Sequence, residues 1–257
     1  MKGSAALALA AASAFACAGA FAQSSSPDFS GLWEGPGFDL EPPKDGMGPV
    51  TNISGDIQKP EGDHNNPILQ PWAAKIVKHW ADESHAGRAP AHAHALCLPT
   101  SVPGAMTLHQ AYQFLQMKDK VTILIANQAQ VRHVYLNVPH SKTVKPSWYG
   151  ESVGRYEGDT LVVDTIGIKT RDTVPFDRFG TPHTGKLHVV ERIRKTAAKE
   201  LRIDYTIDDE GAFTAPFKAS LTFRPMRDWE EQICAENNID TTGSVVEGLP
   251  VENKPVF

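Results

Sequence analysis

From residue 111 onward the hydrophobic pattern of this 257-residue chain has a period of two, and little else constrains its fold as strongly. Segments 112–117, 120–127, 130–138, 154–156, 160–168, 186–195, 201–207 and 217–223 place apolar residues on alternate positions or in short β-branched runs. Successive side chains of a strand point to opposite faces, so each segment reads as a strand. The breaks are brief: Lys118-Asp119, Ala129, the tight-turn signal Gly158-Asp159, and Ala197-Ala198-Lys199. About eight strands joined by short connections predict a mainly β fold, an antiparallel meander over residues 111–233 followed by a tail at 234–257. Open edges invite pairing with other chains, and closure into a lipocalin-like barrel removes them.

The sequence before residue 111 behaves differently. Residues 1–22 have the three parts of a secretory leader: Lys2, an Ala/Leu-rich run, and the small-residue pattern Ala20-Phe21-Ala22 before Gln23. The run is too short and Ala-rich for a spanning helix, and no later segment is apolar enough for one. The expectation is a secreted protein, periplasmic or extracellular, with no membrane span. Residues 23–110 are rich in Pro and Gly, as in Gly35-Pro36-Gly37, Pro42-Pro43 and Gly46-Met47-Gly48-Pro49, and predict an extended arm. Its one helix candidate is 67–83, where Ile68, Trp72, Ile76, Val77 and Trp80 recur at helical spacing and Pro71 suits a first turn.

The leader makes the cysteines readable. Of three, Cys17 leaves with it, and Cys97 and Cys234 remain. In an oxidising compartment such a pair forms a structural disulfide, here tying the arm to the C-terminal region. A net charge of −5 with no basic stripe argues against nucleic acid as a partner. No Gly-x-Ser-x-Gly elbow, phosphate loop or dinucleotide fingerprint occurs, so no organic cofactor is implied. The stretch Trp148-Tyr149-Gly150-Glu151-Ser152-Val153-Gly154 leads into a strand, and Trp148 and Tyr149 suit the lining of an apolar mouth.

Polar residues on apolar faces are the site candidates. Glu191 shares its face with Leu187, Val189 and Ile193, while the next strand turns Leu201, Ile203, Tyr205 and Ile207 the same way. A carboxylate there needs a partner or a use. Two readings stand: a glutamate held by Arg155 or Arg132, or a general acid or base tuned by burial. Asp164 is either an exposed or backbone-bonded aspartate or the group that orients a histidine or water. His133, between Val131 and Tyr135, is expected to point inward. His183 lies on a turn before the strand of Glu191, where a rim histidine would complement an inward carboxylate. His92 and His94 stand near Cys97, but their spacing matches no structural zinc pattern, and no metal is expected.

The stretch from Pro146-Ser147-Trp148-Tyr149-Gly150 through Gly158-Asp159-Thr160-Leu161-Val162-Val163-Asp164-Thr165 resembles the central signature of a large family of secreted proteobacterial and acidobacterial proteins. Asp28-Phe29-Ser30-Gly31-Leu32-Trp33, Pro182-His183, Glu191-Arg192 and Asp208-Asp209 are similar to its other motifs, so the resemblance covers most of residues 28–224. Where that family has an Asp-Gly-Arg turn, this chain has Asn137-Val138-Pro139-His140. The resemblance implies a small β-barrel and, through some relatives, the breakdown of lignin-derived aromatic ethers.

Together these readings predict a secreted hydrolase or lyase that cleaves an ether or ester bond in a small, largely apolar aromatic molecule. Glu191 would be the acid or base, His183 or His133 its complement, and Asp164 the orienting group. Tyr112, Trp148, Tyr149, Arg155 and Tyr205 would bind substrate. The alternative is a non-catalytic, lipocalin-like carrier of an apolar ligand. A structural envelope role has no repeat or adhesive segment behind it.

Overall fold

The computed structural model describes residues 26–88, 93, 97–170, 175, 177–230 and 232–234. The chain forms a closed nine-stranded barrel in which every strand neighbours the next in sequence. The strands are β1 (Leu32–Glu34), β2 (Ala111–Gln116), β3 (Lys120–Ile125), β4 (Gln130–Leu136), β5 (Glu151–Glu157), β6 (Thr160–Ile166), β7 (His188–Ala197), β8 (Glu200–Asp208) and β9 (Phe217–Pro225). The expected hairpin turn is present between β5 and β6, where Gly158 adopts a φ of +62° that a side chain would strain. No helix among the described residues is long and apolar enough to cross a membrane.

Two features correct the meander read from the sequence. First, β4 and β5 run parallel, with Val134 beside Ser152 and Leu136 beside Gly154. A parallel neighbour needs a crossover, and residues 137–150, punctuated by Pro139 and Pro146, carry the chain back to the end where β4 began. Second, the barrel has nine strands because the arm supplies one. Trp33 of β1 lies across from Tyr112 of β2 and Pro225 of β9, so β1 closes the edges that residues 111–233 alone would leave open. Only three residues long, β1 falls below the length at which alternation is visible.

The helix α1 (Pro71–His85) begins at the proline, as its fixed φ favours, and buries Ala73, Val77 and Ala81. Its N-terminus is sewn to the β8–β9 connection: Gln70 N donates to Ala212 O at 2.9 Å, and Thr214 N to Ile68 O at 2.7 Å. The disulfide between Cys97 and Cys234 forms as expected. Beside it Gln232 bridges to Asn127, with Gln128 N donating to Gln232 O at 2.9 Å.

Inside the barrel the alternating, inward-facing apolar residues of the strands form the buried core. Tyr112 meets Phe223 edge to face at 5.3 Å, and Phe213 meets Phe217 the same way at 5.1 Å. The strand directions place the starts of β2, β4, β5, β7 and β9 at one end, together with the ends of β3, β6 and β8. At this end the arm, α1 and the connections meet.

Candidate functional site

Within the barrel, Arg132 of β4 reaches Glu191 of β7, and both side chains have no solvent exposure. The contact has two points: Nη1 donates to Oε1 at 2.9 Å, and Nη2 makes a closer bond to Oε2. Nη2 also donates to Ser152 Oγ at 3.1 Å and Thr165 Oγ1 at 3.0 Å. Burial opposes the guanidinium charge, but the adjacent carboxylate outweighs it and the Arg132 pKa is raised. Tyr205, the cross-strand neighbour of Glu191, has its phenol pushed well up by burial and by that carboxylate. This is the geometry of a buried ion pair with both carboxylate oxygens engaged. Acid–base work by Glu191 would first require breaking it, at a cost of several kcal/mol, on the order of 3–5.

The other expected catalytic residues lie apart from this pair. His133 points outward, because β4 alternates buried Arg132 and Val134 with exposed Val131, His133 and Tyr135. The inward assignment fails by one register step: Val131 and Tyr135 are themselves on the solvent face. His183 is buried, with Nδ1–H donating to Thr184 O at 3.1 Å and burial lowering its pKa. Asp164 is on the outer wall, where its Oδ1 accepts from His140 Nε2 at 2.9 Å and His188 Nε2 at 3.0 Å. His140 Nδ1 also lies 3.0 Å from Glu151, whose pKa is lowered chiefly by its bonds from Ser141.

The binding residues divide in the same way. Tyr112 and Tyr205 are buried in the barrel, and Tyr149 is half-buried with its phenol pushed up by burial. Trp148 lies under Lys169 Nζ, 5.1 Å from the ring centre. Arg155 is on the outer wall bonded to Glu157 at 2.5 Å, so it neither holds Glu191 nor faces the interior. His92 and His94 lie outside the described residues, and among the described residues no group of three or more His, Cys, Asp or Glu is arranged to hold a metal.

A cavity of about 660 Å³ lies over the barrel mouth, between the arm, α1 and the barrel connections. Phe38, Trp80, Phe179 and Leu108 give it apolar walls, while Gln110, Thr100, Asp177 and Arg178 supply polar groups. The Trp80 ring rests on the backbone of Gly180, where a Cβ would lie 2.2 Å from it and where φ is +77°. Any side chain at 180 would therefore displace the tryptophan wall. Arg178 is held by Asp39 at 2.6 and 2.7 Å, and its guanidinium lies 5.6 Å from the Phe38 ring and 5.2 Å from Phe179.

Asp177 is the titratable group best placed here. Its Oδ1 accepts from Phe179 N at 2.9 Å and Thr181 N at 3.1 Å. Its Oδ2 is buried and has no partner among the described residues. Burial, helped by Asp39, pushes its pKa up to about 6 against the lowering effect of the Thr181 hydroxyl and of those backbone bonds. A carboxyl with that pKa against an apolar wall can give or take a proton near neutral pH. The sequence reading missed Asp177. Its signal was the run Asp177-Arg178-Phe179-Gly180-Thr181, an Asp two residues before an aromatic and three before a glycine.

No protein-family model and no curated protein matches the chain.

Proposed function

We propose that the protein is a secreted enzyme that takes a small, flat, largely apolar aromatic molecule into the crevice over the barrel mouth and cleaves an ether or ester bond there. The observation that carries this reading is the cavity itself, with its size, its wall of Phe38, Trp80 and Phe179, and Asp177 in that wall. A volume of about 660 Å³ is in the range of small-molecule sites, and aromatic walls favour flat apolar ligands. Asp177 is the acid or base: protonated, it donates to the departing oxygen; ionised, it takes a proton from water in hydrolysis or from carbon in elimination. The resemblance of residues 146–165 to a family with lignin-related members supports an aromatic substrate, and the leader together with the Cys97–Cys234 bridge supports secretion.

The test is turnover of a panel of aromatic ethers and esters by the mature protein and by Asp177→Asn. General acid–base catalysis is worth on the order of 100-fold or more. The variant should lose that much in kcat while its affinity for the same compounds stays within about threefold. Equal turnover by the two proteins would sink the role of Asp177. A carrier is the second reading, favoured by one observation: Arg178, Arg88 and His109 in the crevice wall are each engaged by a carboxylate of their own, Asp39, Glu83 and Glu34. Saturable binding with no turnover of any panel member would establish the carrier.

A further inference from the structure

Gln110 precedes β2, lines the crevice and is 2% exposed. Its side chain meets Tyr112 Oη at 3.2 Å. That hydroxyl also lies 2.9 Å from Ala105 O and 3.0 Å from Leu108 O. A phenol has one proton, and backbone carbonyls only accept. The Tyr112 proton is therefore committed to a carbonyl, and toward Gln110 the phenol oxygen must accept. This fixes the amide: Nε2 faces Tyr112, and Oε1 is left as a buried acceptor on a residue that lines the crevice. Among the described residues Oε1 has no hydrogen-bond partner. Asp177 Oδ2, in the same wall, is a second buried oxygen without a partner among the described residues.

We infer that Gln110 selects ligands carrying a hydrogen-bond donor, a hydroxyl or N–H on the flat apolar body, over analogues whose only polar atom accepts. This rests on the crevice reading above and narrows its substrate class. A donor satisfies Oε1, whereas a methylated ligand leaves that buried oxygen unpaired and adds bulk beside it. Tyr112 acts through Gln110. With its hydroxyl removed, the amide is free to turn and present Nε2, which suits acceptors equally well.

The experiment is calorimetric titration with 4-propylphenol and its methyl ether 4-propylanisole, two probes that differ by one methyl group. The mature protein should bind the phenol about tenfold more tightly. Gln110→Leu should remove that preference while retaining affinity for the methyl ether, and Tyr112→Phe should reduce the preference to about twofold or less. Circular dichroism melting of each variant separates loss of preference from loss of fold. Equal binding of both probes to the wild type, or a preference that survives Gln110→Leu, overturns the inference and leaves the crevice reading intact. If neither probe binds, the crevice reading fails and takes the inference with it.

Discussion

Glu191 inside the barrel and Asp177 over its mouth are both carboxylates withdrawn from water, yet their surroundings assign them opposite roles. Each oxygen of Glu191 faces a guanidinium nitrogen, and the guanidinium is steadied in turn by Ser152 and Thr165. Asp177 has no cation bonded to it among the described residues; two backbone N–H groups hold one oxygen, and the other has no partner among those residues. Burial without a paired charge raises a carboxyl pKa into the working range, whereas burial with one yields a fixed strut. Depth alone is therefore a poor guide to chemistry in this molecule.

The comparison breaks most visibly at Glu191. Replacement by Ala leaves Arg132 charged and alone in the barrel, and should cost about 3–5 kcal/mol in urea unfolding. Replacing both partners together, Arg132→Met with Glu191→Leu, should recover most of that loss, because the penalty lies in the orphaned charge and not in a missing attraction. A loss under about 1 kcal/mol for Glu191→Ala would mean that the pair is not the strut described here.

These two carboxylates also mark how far the sequence could be read. The strand alternation identified Glu191 as inward, since its neighbours Val189 and Ile193 are core, and named Arg132 as one of two possible partners. It could not choose between Arg132 and Arg155, because that choice depends on which strands adjoin across a closed barrel. Misreading β4 by one step put His133 inside, although Arg132 on the same strand was the inward residue. Asp177 carried no periodicity at all. Its environment comes from Trp80 and Phe38, far away in sequence and brought near by the arm and α1 folding over the mouth. Closure by β1 was hidden for a similar reason: three residues pair correctly only because two long strands are already in place.

A smaller effect sharpens the contrast at Asp177. Its raised pKa means that the folded chain holds the proton more tightly than the unfolded chain between about pH 4 and about pH 6. The stabilisation from the protonated form is full below about pH 4 and is lost as pH rises through about 6. Asp177→Asn keeps a neutral side chain throughout and escapes that loss. The variant's melting temperature relative to wild type should therefore rise between pH 4.5 and pH 7.5. A difference that stays level across that range would show that Asp177 is not carrying an uncompensated charge at neutral pH.

The smallest effect belongs to Asp164, a third carboxylate that falls between the other two in character. It has partners, His140 and His188, but is 35% exposed, and they are 21% and 42% exposed. Water and salt screen such contacts, so Asp164→Asn should cost less than about 1 kcal/mol, and less again in high salt. The same substitution should leave the turnover proposed for the crevice unchanged, because Asp164 lies on the outer wall and does not line the cavity. A loss as large as that of Glu191→Ala would place the outer histidines among the elements that hold the barrel together. The crossover of residues 137–150, which carries His140 onto that wall, would then be the part of the fold that most needs its side chains.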